Sequence, residues 1–251
     1  TGGQLDTPTT RAFYMGKYEV TQEQYEAVTG TNPAEFKGPK NPVETVSRDG
    51  AQEFCKKLSA KTNRTIQLPT EAQWEYACRA GTRTRFYSGD ADADLDAVAW
   101  YDANSKGTAH HPVGEKQANA WGLYDMHGNV MEWCFDFFDE GYYSISPLEN
   151  PQGSPNVFAN HVLRGGAWST GDFAGTPGGE LYSSFRQSAP GNGFGAGGCR
   201  CAASIAKSPV IQRIITTHAG TVSASFLVKK LFPPGCAGRI EYATGLPKSS
   251  R

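Results

Sequence analysis

Asp125, Asn129 and Glu132 put three oxygen-bearing side chains into eight positions. Such a group can hold a hard cation, with backbone carbonyls completing the shell. The surrounding run, Asn119 to Trp133, also holds two Trp, a Tyr, two Met and two Gly. Aromatic rings supply buried area, and glycines let a chain turn tightly. The same polar residues would serve equally in a turn that only caps backbone groups. Two other candidates for ion binding are weaker. Counted from Asp90, a calcium loop needs Gly at its sixth position and Glu at its twelfth, where this chain has Leu95 and Tyr101. The acidic run 90–96 therefore reads as a solvated loop. His110 and His111 are adjacent, so in an extended chain they point to opposite faces and do not share an ion. Cys199-Arg200-Cys201 has no His or Cys partner at metal spacing.

These residues need a frame. Phe13 to Val20 reads as an aromatic strand. Thr21 and Gln24 form a capping box for a helix that runs to about Val28 and stops at Gly30. Pro33, Pro39 and Pro42 fix a loop up to Val46. Ser47 caps a second helix, whose Ala51, Phe54, Cys55 and Leu58 recur at helical spacing. Thr70 and Gln73 cap a third, ending at Gly81. Both of these helices read as structural. Val162 to Arg164 is a short strand running into Gly165-Gly166.

Composition narrows the function classes. The net charge of −1 leaves no basic footprint for nucleic acid. No apolar run of about 18 residues offers a membrane span. No signal peptide is visible at Thr1, although an anchor or leader belonging to a longer chain would not be seen. The 251 residues contain 29 Gly and 15 Pro, so long loops and few regular elements are expected. No nucleophile elbow or phosphate loop is present. The glycines concentrate oddly: eleven fall between Gly165 and Gly198, with only Asp172, Glu180 and Arg186 charged. Such a segment reads either as a plain surface loop or as a display surface of small and aromatic residues on a rigid scaffold.

Four segments carry a resemblance, in order: Met15-Gly16-Lys17-Tyr18-Glu19-Val20-Thr21, Leu68 to Ala77, Asn119 to Trp133, and Leu163-Arg164-Gly165-Gly166-Ala167-Trp168. The chain resembles the formylglycine-generating-enzyme-like, or sulfatase-modifying-factor, domain. That resemblance implies an α+β, C-type-lectin-like fold over residues 1–203, with 204–251 as an extension of unknown role. Active enzymes of the family bind copper through two cysteines just after Arg-Gly-Gly. The matching places fall near Thr170 and Gly175, neither a thiol, and Cu(I) needs soft ligands. A copper cofactor and the oxidase activity are therefore not expected. Iron-dependent sulfoxide synthases of this type need a histidine-rich helical domain that nothing here resembles.

The resemblance is better to the variable proteins of diversity-generating retroelements. It implies a non-enzymatic binder, exported or at the cell surface, whose ligand is a protein or another macromolecule. Its diversified face would be residues 170–199, with contacts at Trp168, Thr170, Asp172, Phe173, Thr176, Tyr182, Phe185, Asn192 and Phe194. Gly198-Cys199-Arg200 stands where the family usually ends in Gly-Phe-Arg. The resemblance also implies a structural calcium ion held by the side chains of Asp125 and Glu132 and the carbonyls of Gly128 and Val130. It further implies a Cys55–Cys201 disulfide. It leaves Cys78 a buried free thiol, since its partner position falls near Ser183. The alternative function is a copper- or iron-dependent oxidoreductase. Beyond Ser204 the resemblance ends; 210–217 and 221–231 read as β-rich.

Overall fold

The computed structural model describes residues 12–105, 109–156, 160–171, 179–192, 195–204 and 228–231. Helix α1 is Gln22–Thr29, with Thr21 and Gln24 making the expected capping box and Gly30 closing it in a left-handed turn. Helix α2 is Arg48–Thr62, capped by Ser47, which accepts from the Gly50 amide. Helix α3 is Glu71–Arg79 behind the Thr70/Gln73 box, and it ends at Ala80, one residue before the glycine predicted to stop it. A short α4, Asp102–Ser105, follows later.

Three small sheets frame these helices. One has the order β10-β1-β9-β2, from Val228–Leu231, Phe13–Gly16, Ala202–Ser204 and Ile66–Gln67. A second has the order β7-β6-β5-β8, from Gln187–Ala189, His161–Arg164, Met131–Phe137 and Gly197–Gly198. The third pairs β3, Ala99–Trp100, with β4, His127–Gly128. The first strand stops at Gly16, short of the predicted Val20, because Val20 instead exchanges backbone bonds with Cys199 and Val43. Within the predicted extension, residues 228–231 form β10 against β1; the strand predicted at 210–217 lies outside the described residues. Among the described residues, no helix is long and apolar enough to cross a membrane.

The main core joins α1 and α2 to β5 and β6 through Tyr25, Phe54, Leu58, Trp133, Leu163 and Trp168. Trp133 is fully buried, and its indole N–H donates to the Val46 carbonyl at 2.8 Å. That bond satisfies a polar atom that would otherwise be costly inside.

Helix α3 departs most from its predicted role. It delivers Glu71 and Glu75 into a buried ion network. Arg164, fully buried, donates to both carboxylates, and Arg186 donates through Nε at 2.6 Å and Nη2 at 2.9 Å to Glu71. Beside them, Asp136 accepts from the Glu71 amide at 2.7 Å. Burial, then the charge of Glu71, pushes the Asp136 carboxyl up to about 7. An acid with a raised folded pKa binds its proton more tightly in the native state. Its contribution is thus lost as pH rises from about 4, the unfolded value, through about 7. Asp136→Asn keeps the acceptor and removes the titration. Urea unfolding at pH 5 and pH 8 should show a flatter pH dependence in the variant, by on the order of 1–3 kcal/mol. Parallel curves for the two proteins would contradict this.

Candidate functional site

Backbone conformation shapes the signature stretch first. Gly122, Asp125, Gly128 and Asn129 all take positive φ, at 70°, 55°, 75° and 61°. At Gly128 a β-carbon would lie 2.1 Å from the Trp100 carbonyl oxygen, so only glycine fits the β3–β4 crossing. Asn129 is buried and wired on three sides. Its amide donates to the Trp100 carbonyl, its Oδ1 accepts from the His111 amide at 2.9 Å, and its Nδ2 donates to Glu19 at 2.7 Å.

Behind it sits a charged core. Arg200 is fully buried and donates through Nε and Nη2 to Glu132 at 2.7–3.0 Å. It also reaches the carbonyls of Gly16 at 3.0 Å and Tyr124 at 2.8 Å. The second oxygen of Glu132 accepts from the Trp74 indole at 2.8 Å. Glu19, also buried, accepts from the Val130 amide and Asn129. Burial, then the charges of Asp125 and Glu132, holds Glu19 well above the usual carboxylate range. Burial likewise lifts Asp125 to about 6, against the Gly114 amide that donates to it at 2.7 Å.

The calcium expectation can be tested on these atoms. Oδ1 of Asp125 is buried with no hydrogen-bond partner, and three buried carboxylates share the field of one guanidinium. That deficit fits a hard cation at the Asp125 end, with the Gly128 and Val130 carbonyls close in sequence. The Glu132 end fits less well, because Arg200 and Trp74 already fill both of its oxygens. Among the described residues, no three His, Cys, Asp or Glu side chains converge as a metal centre requires.

The segment after Arg-Gly-Gly is bound down at both described ends. Trp168 is 7% exposed, with its ring edge-on to Phe36 and His110. Thr170 is 5% exposed; its hydroxyl accepts from the Ala167 amide at 2.9 Å, closing a turn. Both were expected as ligand contacts. Their burial makes them framework beneath the segment instead, since a large ring and a turn-closing hydroxyl are more stable inside. Farther on, Arg164 donates to the carbonyls of Ser183, Ser184 and Phe185. Leu181 is fully buried against Phe86 and Val98. Tyr182 stays half-buried, stacked edge-on to Phe86 and accepting from Arg85 at 2.9 Å. Phe185 is half-buried and Asn192 is exposed, so both keep surface. Asp172, Phe173, Thr176, Phe194 and Gly175 lie outside the described residues.

The five cysteines among the described residues are buried. Cys55 and Cys201 are free thiols with Sγ atoms 3.9 Å apart, so the expected disulfide, with its bond of about 2.05 Å, is not formed. The pair is nonetheless adjacent. Mild oxidation should lower the titratable thiols of the denatured chain from six to four. By chain-entropy reckoning the new bridge adds about 5 kcal/mol, because it closes a long loop. Six thiols after oxidation would contradict this. Cys78 is a free buried thiol as expected, pushed up to about 12 chiefly by burial, with its Sγ 3.7 Å from Ser183 Oγ. Burial also holds the thiols of Cys134 and Cys199 well above the usual range, and Cys201 is raised through its bond with Cys55 and by burial. Such thiols are neutral at physiological pH.

Sequence reading missed the roles of Glu19, Arg200, Glu71, Glu75, Arg164 and Arg186. Five of these lay inside the quoted motifs or the Gly-Cys-Arg end, but charged residues are rarely buried and give no apolar periodicity to reveal them.

A mixed, loop-rich chain with few helices, small sheets and a buried charged core under the signature stretch defines a C-type-lectin-like fold of the formylglycine-generating-enzyme type. Residues 5–205 match the sulfatase-modifying factor enzyme 1-like domain, and the chain belongs to that family. It is 30% identical over 205 residues to the chaperone protein LppX of Paenibacillus barcinonensis, covering 62% of this chain and 69% of that one. It is 34% identical over 142 residues to the formylglycine-generating enzyme of Streptomyces coelicolor, covering 52% of this chain and only 43% of the enzyme. Among solved structures it resembles Treponema denticola variable protein 1, with 29% identity and a TM-score of 0.70. That match covers 77% of this chain and 84% of the other. The chain is thus similar both to an enzyme and to a variable protein.

Proposed function

We propose that this chain is a non-enzymatic ligand-binding protein that presents a diversified surface from residues 170–199 on a C-type-lectin-like scaffold. One observation carries the reading. Near position 170, where the resemblance to the active enzymes places a copper-binding cysteine, stands a threonine whose hydroxyl is spent closing a backbone turn. The likeness to a variable protein at a TM-score of 0.70 supports it. So does the framework: Arg164, Arg186 and Leu181 hold the segment's stem while Tyr182, Phe185 and Asn192 keep surface. Half-exposed aromatics would anchor a protein or other macromolecular partner, and small polar residues would adapt to it. An exported or surface-displayed setting and a structural calcium ion held at Asp125 belong to the same proposal.

Oxygen consumption with a cysteine-containing peptide and added Cu(I) tests the first part. No uptake above the copper-only rate is expected; turnover at the rate of an enzyme would overturn the reading. For calcium, 1 mM CaCl2 should raise the melting temperature, and Asp125→Ala should abolish that rise. An unchanged melting temperature in the parent would remove the ion from the proposal.

A further inference from the structure

The ring of His110 is fully buried, and among the described residues neither of its nitrogens has a hydrogen-bond partner. Nε2 lies 3.5 Å from Oε1 of Glu44, which is buried as well. Burial raises the Glu44 carboxyl, but the approach of His110, the Thr45 hydroxyl and the Phe36 amide outweigh it and hold the group below its ordinary value. A carboxylate thus faces an imidazole inside the fold, where a charge-assisted bond is strong.

This pair stands between the two ends of the glycine-rich segment. The His110 ring is edge-on to Trp168, at the segment's start, with centroids 5.3 Å apart. Thr45, next to Glu44, holds the segment's far end, its amide donating to the Gly195 carbonyl at 3.1 Å. The Thr45 hydroxyl has one proton and two acceptors: Glu44 Oε2 at 2.5 Å and the Gly195 carbonyl at 3.3 Å. Thr45 also sits at φ 58°, a costly conformation for a β-branched residue that persists only where surrounding bonds fix it. Of the elements packed against the His110 ring, one loop brings Phe36 and Glu44 and another brings the uncharged Trp168. In its own loop the titratable neighbour is His111, on which Glu115 and Lys116 act.

We infer that His110 and Glu44 form a proton-operated latch on this segment, with the Thr45 hydroxyl as its moving part. While His110 is neutral, the unmatched charge of Glu44 keeps the hydroxyl. When His110 takes a proton, its Nε2–H closes on Glu44 in a charge-assisted bond. The satisfied carboxylate releases the hydroxyl to Gly195, whose carbonyl is then held by two donors instead of one. Histidine changes charge between about pH 5 and 8, so the segment's end is firmer in acid and loosens as pH rises. The latch belongs to the frame and operates whether or not the segment varies.

Hydrogen exchange at the Thr45 amide reads the latch, because that amide donates to Gly195. Rates are corrected for the intrinsic effect of pH and compared with the amides of β5, which removes changes in global stability. Protection in the parent should be several-fold greater at pH 5.5 than at pH 7.5. His110→Gln and Thr45→Ala should each lose that difference, whereas Thr45→Ser, which keeps the hydroxyl, should retain it. Thr45→Ala leaves both buried partners in place, so it decides alone if His110→Gln does not fold. Equal protection at the two pH values in the parent would overturn the latch. A difference that survives in Thr45→Ala, or in a folded His110→Gln, would overturn it too.

Discussion

Arg200→Ala is expected to cost about 3–5 kcal/mol, the range found when one partner of a buried ion pair is removed. The guanidinium is fully buried and is the cation that Glu132, Glu19 and Asp125 share. Removing it leaves Glu132 with the Trp74 indole as its remaining side-chain donor and frees the carbonyls of Gly16 and Tyr124. Those carbonyls belong to β1 and to the signature stretch, so one side chain ties the first motif to the third. Arg200→Lys should fall between the parent and Arg200→Ala, because an ammonium keeps the charge but not the planar fork. Urea midpoints of the three proteins decide it. A loss below about 1 kcal/mol in Arg200→Ala, the scale of an exposed pair, would mean the cluster is not held by Arg200.

Ser183→Cys should act in the opposite direction. Cys78 Sγ lies 3.7 Å from Ser183 Oγ, both residues are fully buried, and the two positions are 105 residues apart. A disulfide there would restrict the unfolded chain by about 4–5 kcal/mol on the loop-entropy model. It would also join α3 to the stem of the 170–199 segment, next to the carbonyl that Arg164 holds. The oxidised variant should lose two thiols relative to its reduced form and melt at a higher temperature, with the gain reversed by reductant. A variant that oxidises but melts lower would show that the pocket cannot accept disulfide geometry without strain.

How much of this was legible in the sequence depended on the kind of force involved. The capping boxes at Thr21 and Thr70 are local, reading across three residues, and both appear where expected. The core face of α2 follows from helical periodicity, and Ala51, Phe54, Cys55 and Leu58 are all buried. The Cys78–Ser183 proximity came only through resemblance, because nothing local links positions 105 residues apart. The buried charges were not legible: Glu71 and Glu75 look like ordinary first-turn and mid-helix acids until Arg164 and Arg186 arrive from a distant strand and loop. Trp168, expected as a contact, is packed edge-on in the fold, and no local signal gives that placement. Its position is set by Phe36 and His110, which are remote in sequence.

The most direct measurement is to sequence this gene from several isolates. A diversified binding surface predicts differences clustered at adenine-derived codons within 170–199, reaching Tyr182, Phe185 and Asn192. They should spare Leu181, Ser183 and Arg186, whose side chains are built into the fold. A segment as constant as the rest of the chain, or one that varies at those three positions as freely as elsewhere, would contradict it.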